Sequence, residues 1–132
     1  MQAIILCGGK GTRLGLKSKP KPMVIVNGKP LLEHTVDLLI KNGFKEIIFL
    51  NGHLSSKIEK YFTNKKYPNI KIIHKKEVRP LGTAGCINQI REDLDDWFFI
   101  IYGDLMINID FKRFYKAAKN NSGFMLITLP PV

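Results

Sequence analysis

Glycines and cations follow the first apolar segment of the chain in a pattern suited to binding phosphate. Residues 3–6 are apolar and run into a glycine-rich loop that also carries Thr12 and Arg13. The glycines of this loop are Gly8, Gly9 and Gly11. Because glycine has no side chain, backbone N–H groups can close around a phosphate. Thr12 adds a hydroxyl donor, and Arg13 adds a guanidinium suited to paired phosphate contacts. The alternative is an ordinary glycine-rich turn between a strand and a helix.

Two common phosphate-binding motifs do not fit this loop. The Walker motif needs Gly, four residues and then Gly-Lys-Ser/Thr, and the chain lacks that spacing. The dinucleotide fingerprint needs a third glycine where Leu14 stands, and an acidic residue where Asn51 follows the second predicted strand. The loop therefore indicates a different kind of phosphate site.

A carboxylate and a second cation are predicted beside the loop. Asp104 follows Gly103 directly after the apolar run 97–102, and ligands bind beyond the carboxyl ends of parallel strands. A carboxylate facing a phosphate is suited to Mg²⁺; the equally open alternative is that Asp104 accepts backbone N–H groups in a turn. Lys21 lies between two prolines that stiffen its backbone, so its ammonium group can be directed at a phosphate.

Small residues recur at a later strand-to-helix junction. Residues 80–85 read Pro-Leu-Gly-Thr-Ala-Gly, and a flat base could lie against such a backbone. The alternative is a plain helix N-terminus with Thr83 as its cap.

The elements that position these residues alternate between strand and helix. Apolar segments predict strands at 2–6, 47–50, 70–73, 97–102 and 124–129, with 97–102 as the central buried strand. Helical spacing follows Pro30, Ser56, Gly82 and Asp110, with Ser56 and Glu59 read as a capping box and Asp110 as an N-cap. This order predicts an α/β fold with a mostly parallel sheet covered on both faces.

Length and composition set limits on the class of protein. A chain of 132 residues with 45% hydrophobic residues is expected to form one domain over 1–132. Its apolar runs are too short to span a bilayer, and its start lacks a signal-peptide pattern. Cys7 and Cys86 are expected to be buried thiols of a cytoplasmic protein, a disulfide between them being the alternative.

The formal net charge of +10 raises the hypothesis of a nucleic-acid-binding module. The basic residues are spread through every segment, and no nucleic-acid motif accompanies them. We therefore expect a solvated basic surface with weak attraction for polyanions, and neither a specific nucleic-acid partner nor a membrane.

Four segments together resemble the sugar-1-phosphate nucleotidyltransferases, in particular the mannose- or heptose-1-phosphate guanylyltransferases. In order, they are residues 8–14, 20–22, 80–85 and 103–104. The resemblance implies a Rossmann-like, three-layer α/β/α domain. It also implies transfer of a nucleoside monophosphate from a nucleoside triphosphate to a sugar 1-phosphate, with release of pyrophosphate.

Matching positions imply a role for each site residue. Arg13 and Lys21 would act in catalysis, and Asp104 would bind Mg²⁺. The residues that would hold the nucleotide are Leu6, Gly8, Gly9, Gly11, Thr12, Arg13, Lys21, Gly82 and Thr83. The form of 80–85 favours GTP, while 19–24 also resembles cytidylyltransferases, so uridylyl-, cytidylyl- and thymidylyltransferase activities remain alternatives.

Family catalytic domains continue well beyond the length of this chain, and that continuation carries the sugar-binding half and a second metal carboxylate. We therefore expect the nucleotide-binding half, which would associate with itself or with a missing C-terminal half. A non-catalytic or regulatory nucleotide-binding domain is the alternative.

Overall fold

The computed structural model describes residues 1–8, 19–52, 55–77 and 82–121. Its main sheet has four parallel strands in the order β5-β4-β1-β6. They are β1 (Gln2–Cys7), β4 (Glu46–Asn51), β5 (Lys71–Lys76) and β6 (Phe99–Tyr102). The helices are α1 (Leu31–Lys41), α2 (Ser55–Tyr61), α3 (Gly82–Gln89) and α4 (Phe111–Asn120), and β2 (Ile25–Val26) and β3 (Lys29–Pro30) form a small hairpin.

Helices cover both faces of the sheet. Successive side chains of a strand point to opposite faces, so each face of the sheet presents its own apolar residues to the helices. On one face, Ile5 and Phe49 pack with apolar residues of α1, α2 and α4. On the other, Ile4 and Ile48 pack with Cys86 of α3. The three-layer α/β/α prediction is therefore confirmed.

Local sequence signals explain several element boundaries. Helix α1 begins directly after Pro30. Gly43 has a φ of 80°, the left-handed conformation that commonly terminates a helix, and it follows the C-cap residue of α1. Asn27 and Gly28 both have positive φ, which suits the tight turn of the β2–β3 hairpin. The Asp110 carboxylate accepts a hydrogen bond from the Arg113 N–H at 3.1 Å, so the predicted cap of α4 is confirmed.

The predicted start of one helix is wrong in detail. Helix α2 begins at Ser55, so Ser56 lies inside the helix and is not part of a capping box. Ser55 and Ile58 are both buried, so the first turn of the helix packs into the protein interior one residue earlier than predicted. Helix α3 ends at Gln89, although Ile90 and Leu94 still pack in its cluster through a following 3₁₀ turn.

The bounds and the burial predicted for the strand at 97–102 are wrong. Strand β6 begins at Phe99, and Ile100 and Tyr102 are 44% and 49% exposed. Among the described strands, β6 pairs with β1, and β1 and β4 each have a neighbour on both sides. Strand order depends on tertiary packing, so the length of an apolar run could not decide it. The predicted strand at 124–129 lies outside the described residues.

None of the helices in the described ranges is long and apolar enough to cross a membrane.

Candidate functional site

The carboxyl ends of all four parallel strands form one edge of the sheet. Cys7, Asn51 and Lys76 are aligned in neighbouring strands, so the residues that follow them begin the loops of this edge. In an open parallel sheet this edge is where ligands bind.

Lys21 and Asp104 meet at this edge. The Nζ of Lys21 lies 3.0 Å from Oδ2 of Asp104, and the two side chains are 42% and 36% exposed. Lys21 opens a short 3₁₀ helix (Lys21–Met23) in which Pro22 and Met23 are buried. These buried neighbours anchor the backbone, while the ammonium group stays accessible to solvent. The structure thus brings together the cation and the carboxylate that the sequence placed more than eighty residues apart.

Close packing against β1 positions Asp104. The N–H of Gly103 donates to the Leu6 carbonyl at 2.9 Å. A Cβ at Gly103 would lie 3.1 Å from that oxygen and 3.2 Å from Cys7 Sγ. A side chain there would therefore push the β6 end away from β1 and displace the adjacent carboxylate. Leu6 contributes its backbone to this contact.

Cys7 lies buried beneath the carboxylate. Burial, with a smaller contribution from the nearby Asp104 charge, raises the pKa of the Cys7 thiol far above its ordinary value. The thiol is therefore neutral and packs as a small apolar side chain. Cys7 and Cys86 are both free and buried, as the sequence predicted.

Thr83 lies inside α3 and is not its N-cap, because the helix begins at Gly82. Its Oγ1 is 3.4 Å from the hydroxyl of Tyr102 at the end of β6. Both side chains are exposed. Sequence reasoning missed Tyr102, and its only signal was its place immediately before Gly103-Asp104.

Glu77 is a second residue of this edge that sequence reasoning missed. It follows β5 directly, and its N–H donates to the Asn51 carbonyl at 2.8 Å. The thiol of Cys86 donates to Glu77 Oε1 at 2.7 Å. A Cβ at Gly8 would lie 2.9 Å from Glu77 Oε2. The carboxylate thus reaches across the end of β4 to the first glycine of the predicted phosphate loop, and its only sequence signal was an acidic residue after a strand.

The remaining expected residues of the loop, Gly9, Gly11, Thr12 and Arg13, lie outside the described residues, so their roles stay predictions. Across the described ranges no group of three or more His, Cys, Asp and Glu side chains could hold a metal ion. His34 bonds the Val26 carbonyl, and His74 bonds the Phe62 carbonyl and Asn51. These hydrogen bonds give both histidines a structural role.

A parallel sheet with helices on both faces, and with a lysine–aspartate pair at its carboxyl edge, defines a Rossmann-like α/β protein. A family model described as nucleotidyl transferase matches residues 2–132. The chain belongs to this family.

Similar proteins include a D-glycero-alpha-D-manno-heptose 1-phosphate guanylyltransferase of Campylobacter jejuni, 40% identical over 86% of this chain and 52% of its own length. A UTP–glucose-1-phosphate uridylyltransferase of Synechocystis is 31% identical over 96% of this chain and 36% of its own length. The crystal structure of HddC from Yersinia pseudotuberculosis complexed with GMP-PN has a TM-score of 0.77 and 34% identity, over 89% of this chain and 53% of that one. The chain spans about half the length of the guanylyltransferase relatives it matches.

Proposed function

We propose that the protein transfers a nucleoside monophosphate, with GTP as the favoured donor, to a sugar 1-phosphate of the mannose or heptose type. The products are a nucleoside diphosphate sugar and pyrophosphate. The observation that carries this proposal is the contact between Lys21 and Asp104 at the carboxyl edge, where β1 runs into the glycine loop. The guanylyltransferase relatives support the choice of reaction class.

The reaction needs charge neutralisation and alignment more than proton transfer. An oxygen of the sugar phosphate bonds to the α-phosphorus of the nucleotide, and the bond from that phosphorus to pyrophosphate breaks. The attacking oxygen is already anionic, so a general base is not required. Catalysis then depends on aligning two anions and on stabilising charge on the transferred and leaving groups.

Lys21 and Arg13 are the proposed catalytic cations. The short 3₁₀ helix anchors the backbone of Lys21, so a phosphate at the carboxyl edge would meet a positioned ammonium group. Arg13 would contact the phosphates from the glycine loop. We propose that Leu6, Gly8, Gly82 and Thr83 border the nucleotide, with Thr83 near the base.

Asp104 is the residue that would hold Mg²⁺. Its partly exposed carboxylate supplies the hard oxygen ligand that this ion prefers, and Mg²⁺ usually takes one or two carboxylates together with phosphate oxygens and water. A single carboxylate beside a phosphate site fits that donor set. The ion would supply charge neutralisation at the triphosphate.

We propose that the protein works in the cytoplasm, because two free buried thiols suit a reducing compartment. The choice of GTP and of a mannose or heptose phosphate is proposed separately from the reaction class, because a uridylyltransferase is also among the relatives.

The test is pyrophosphate release measured for all four nucleoside triphosphates against mannose, heptose, glucose and N-acetylglucosamine 1-phosphates. We expect the highest kcat/KM with GTP and mannose or heptose 1-phosphate, and no release without a sugar phosphate. Nucleotide binding with no release in any combination would refute the transferase proposal for this chain and favour a nucleotide-binding domain that requires other groups. A preference for UTP or CTP would refute the assignment of the base alone.

A further inference from the structure

The turn that carries Asp104 is held on both sides by contacts to its backbone. Before Asp104, the Gly103 N–H donates to the Leu6 carbonyl of β1. After it, the hydroxyl of Thr35 on α1 donates to the Leu105 carbonyl, a long hydrogen bond of 3.5 Å between residues 70 positions apart in the chain. The Leu105 side chain is 45% exposed, so it does not anchor this flank of the turn by packing. The backbone contact to α1 does so instead.

Thr35 is well placed to serve as that anchor. It is only 1% exposed, although it carries a hydroxyl group. A buried hydroxyl without a hydrogen-bond partner is costly, and the Leu105 carbonyl is the partner that the structure gives it. Val36 and Leu39 on the same helix are fully buried, so packing of α1 holds Thr35 in place. The turn after β6 is therefore attached to a rigid element of the fold.

The same helix also holds the segment that carries Lys21. The N–H of Leu31, the first residue of α1, donates to the Val24 carbonyl at 2.8 Å. The Val24 N–H in turn donates to the Lys21 carbonyl at 3.2 Å. Leu31 precedes Thr35 by about one helical turn, so both attachments come from the same end of α1. One helix thus contacts the segments of both members of the Lys21–Asp104 pair.

We propose that Thr35 is a positioning residue, which holds the Asp104 carboxylate where it meets Lys21 and where it would bind Mg²⁺; the inference rests on the proposed role of Asp104. Both side chains of the pair are more than one third exposed, so their placement depends on the backbone more than on enclosing side chains. A displacement of about 1 Å is enough to weaken a site of this kind strongly. Thr35 itself is buried and acts through the Leu105 backbone.

The experiment uses two pairs of side chains that differ in the hydroxyl group of residue 35. Thr35→Val replaces the hydroxyl by a methyl group and keeps the branched shape, while Thr35→Ser keeps the hydroxyl and removes the buried methyl group. Thr35→Ala differs from Thr35→Ser by the oxygen alone, and this second pair replaces the first if Thr35→Val fails to fold. Calorimetry on the full chain measures the dissociation constant of GTP in Mg²⁺ and in EDTA, and the melting temperature is measured for each variant.

We expect Thr35→Val to lower GTP affinity in Mg²⁺ by about threefold to tenfold, the range for one neutral hydrogen bond, and by much less in EDTA. Thr35→Ser should bind GTP within about twofold of wild type, although loss of the buried methyl group lowers its melting temperature. A residue that only stabilised the fold would not separate binding from melting in this way. In the Asp104→Asn background, Thr35→Val should cause no further loss, because its effect passes through that carboxylate.

Thr63→Val is the matched control. The Thr63 hydroxyl accepts a hydrogen bond from the Lys66 N–H at 3.1 Å, in the segment that leads from α2 to the start of β5 and so to the opposite edge of the sheet. This variant also exchanges a hydroxyl for a methyl group, but it removes no contact at the carboxyl edge. GTP affinity should stay within about twofold of wild type in both conditions.

The outcomes separate this inference from the proposed function. If wild type binds no nucleotide, or binds it equally well in Mg²⁺ and in EDTA, the nucleotide site or the role of Asp104 is wrong and the role of Thr35 falls with it. If Mg²⁺ strengthens binding to wild type but Thr35→Val matches wild type, or Thr35→Ala matches Thr35→Ser, Thr35 alone is refuted. An equal loss in EDTA or in the Asp104→Asn background refutes it as well.

Discussion

Removing the cation of the Lys21–Asp104 pair should weaken nucleotide binding much more than it weakens the fold. Two unit charges 3.0 Å apart attract by about 1.4 kcal/mol in a medium with the dielectric constant of water. Both side chains are more than one third exposed, so screening and lost side-chain entropy reduce the net stabilisation to about 0–1 kcal/mol. Lys21→Met should therefore lower the melting temperature by no more than roughly 4 °C.

The expected loss of binding is larger, because the ammonium group is proposed to contact phosphate directly. A hydrogen bond to a charged group contributes about 1.5–3 kcal/mol, which corresponds to a loss of roughly tenfold to a hundredfold in affinity. Calorimetry with GTP in Mg²⁺ and in EDTA measures this loss for Lys21→Met, Asp104→Asn and the double variant. Asp104→Asn should remove most of the difference between the two conditions.

Lys29 offers a matched control. Its Nζ pairs with Asp37 Oδ2 at 2.6 Å, with exposures of 38% and 44%, on the β2–β3 hairpin and α1. Lys29→Met should leave nucleotide affinity within about twofold of wild type, well below the effect of a lost charged hydrogen bond. A fall of more than 10 °C in the melting temperature of Lys21→Met, with affinity unchanged, would refute our reasoning and make the Lys21–Asp104 pair a structural contact.

Further predictions concern the fold beneath the site. Burial raises the pKa of Cys7, so its thiol stays neutral in the fold but ionises above about pH 8.5 when unfolded. The free energy of unfolding should then fall as pH rises past that value, and urea titrations should show a flatter dependence in Cys7→Ala; equal slopes would contradict this assignment. Phe44 is buried in edge-to-face contact with Phe99 and Phe111, so Phe44→Ala should cost about 3–5 kcal/mol in urea unfolding, and a cost below about 1 kcal/mol would disprove that packing. Asp110→Ala should cost about 1 kcal/mol while Asp110→Asn stays near wild type; equal stability of the two variants would exclude the cap.

The sequence was informative wherever the decisive interaction is local. The Asn27-Gly28 turn, the end of α1 near Gly43 and the cap at Asp110 depend on backbone preferences and on contacts within a few residues. The alternation of apolar segments was enough to predict a parallel sheet covered on both faces. For the site, the motifs identified Lys21 and Asp104, which the structure places in contact.

Other features required the tertiary structure because they depend on which strands become neighbours. The run 97–102 has the apolar composition of a fully buried strand, yet β6 begins only at Phe99 and leaves Ile100 and Tyr102 exposed. Glu77 carried no motif, and its place beside Gly8 follows from the strand order and from a side chain long enough to cross the end of β4. Composition and spacing along the chain determined most of the elements, and they led to the prediction that the first loop binds phosphate. Only the order of the strands decided which distant side chains share the carboxyl edge, since residues far apart in sequence meet there through packing of the whole sheet.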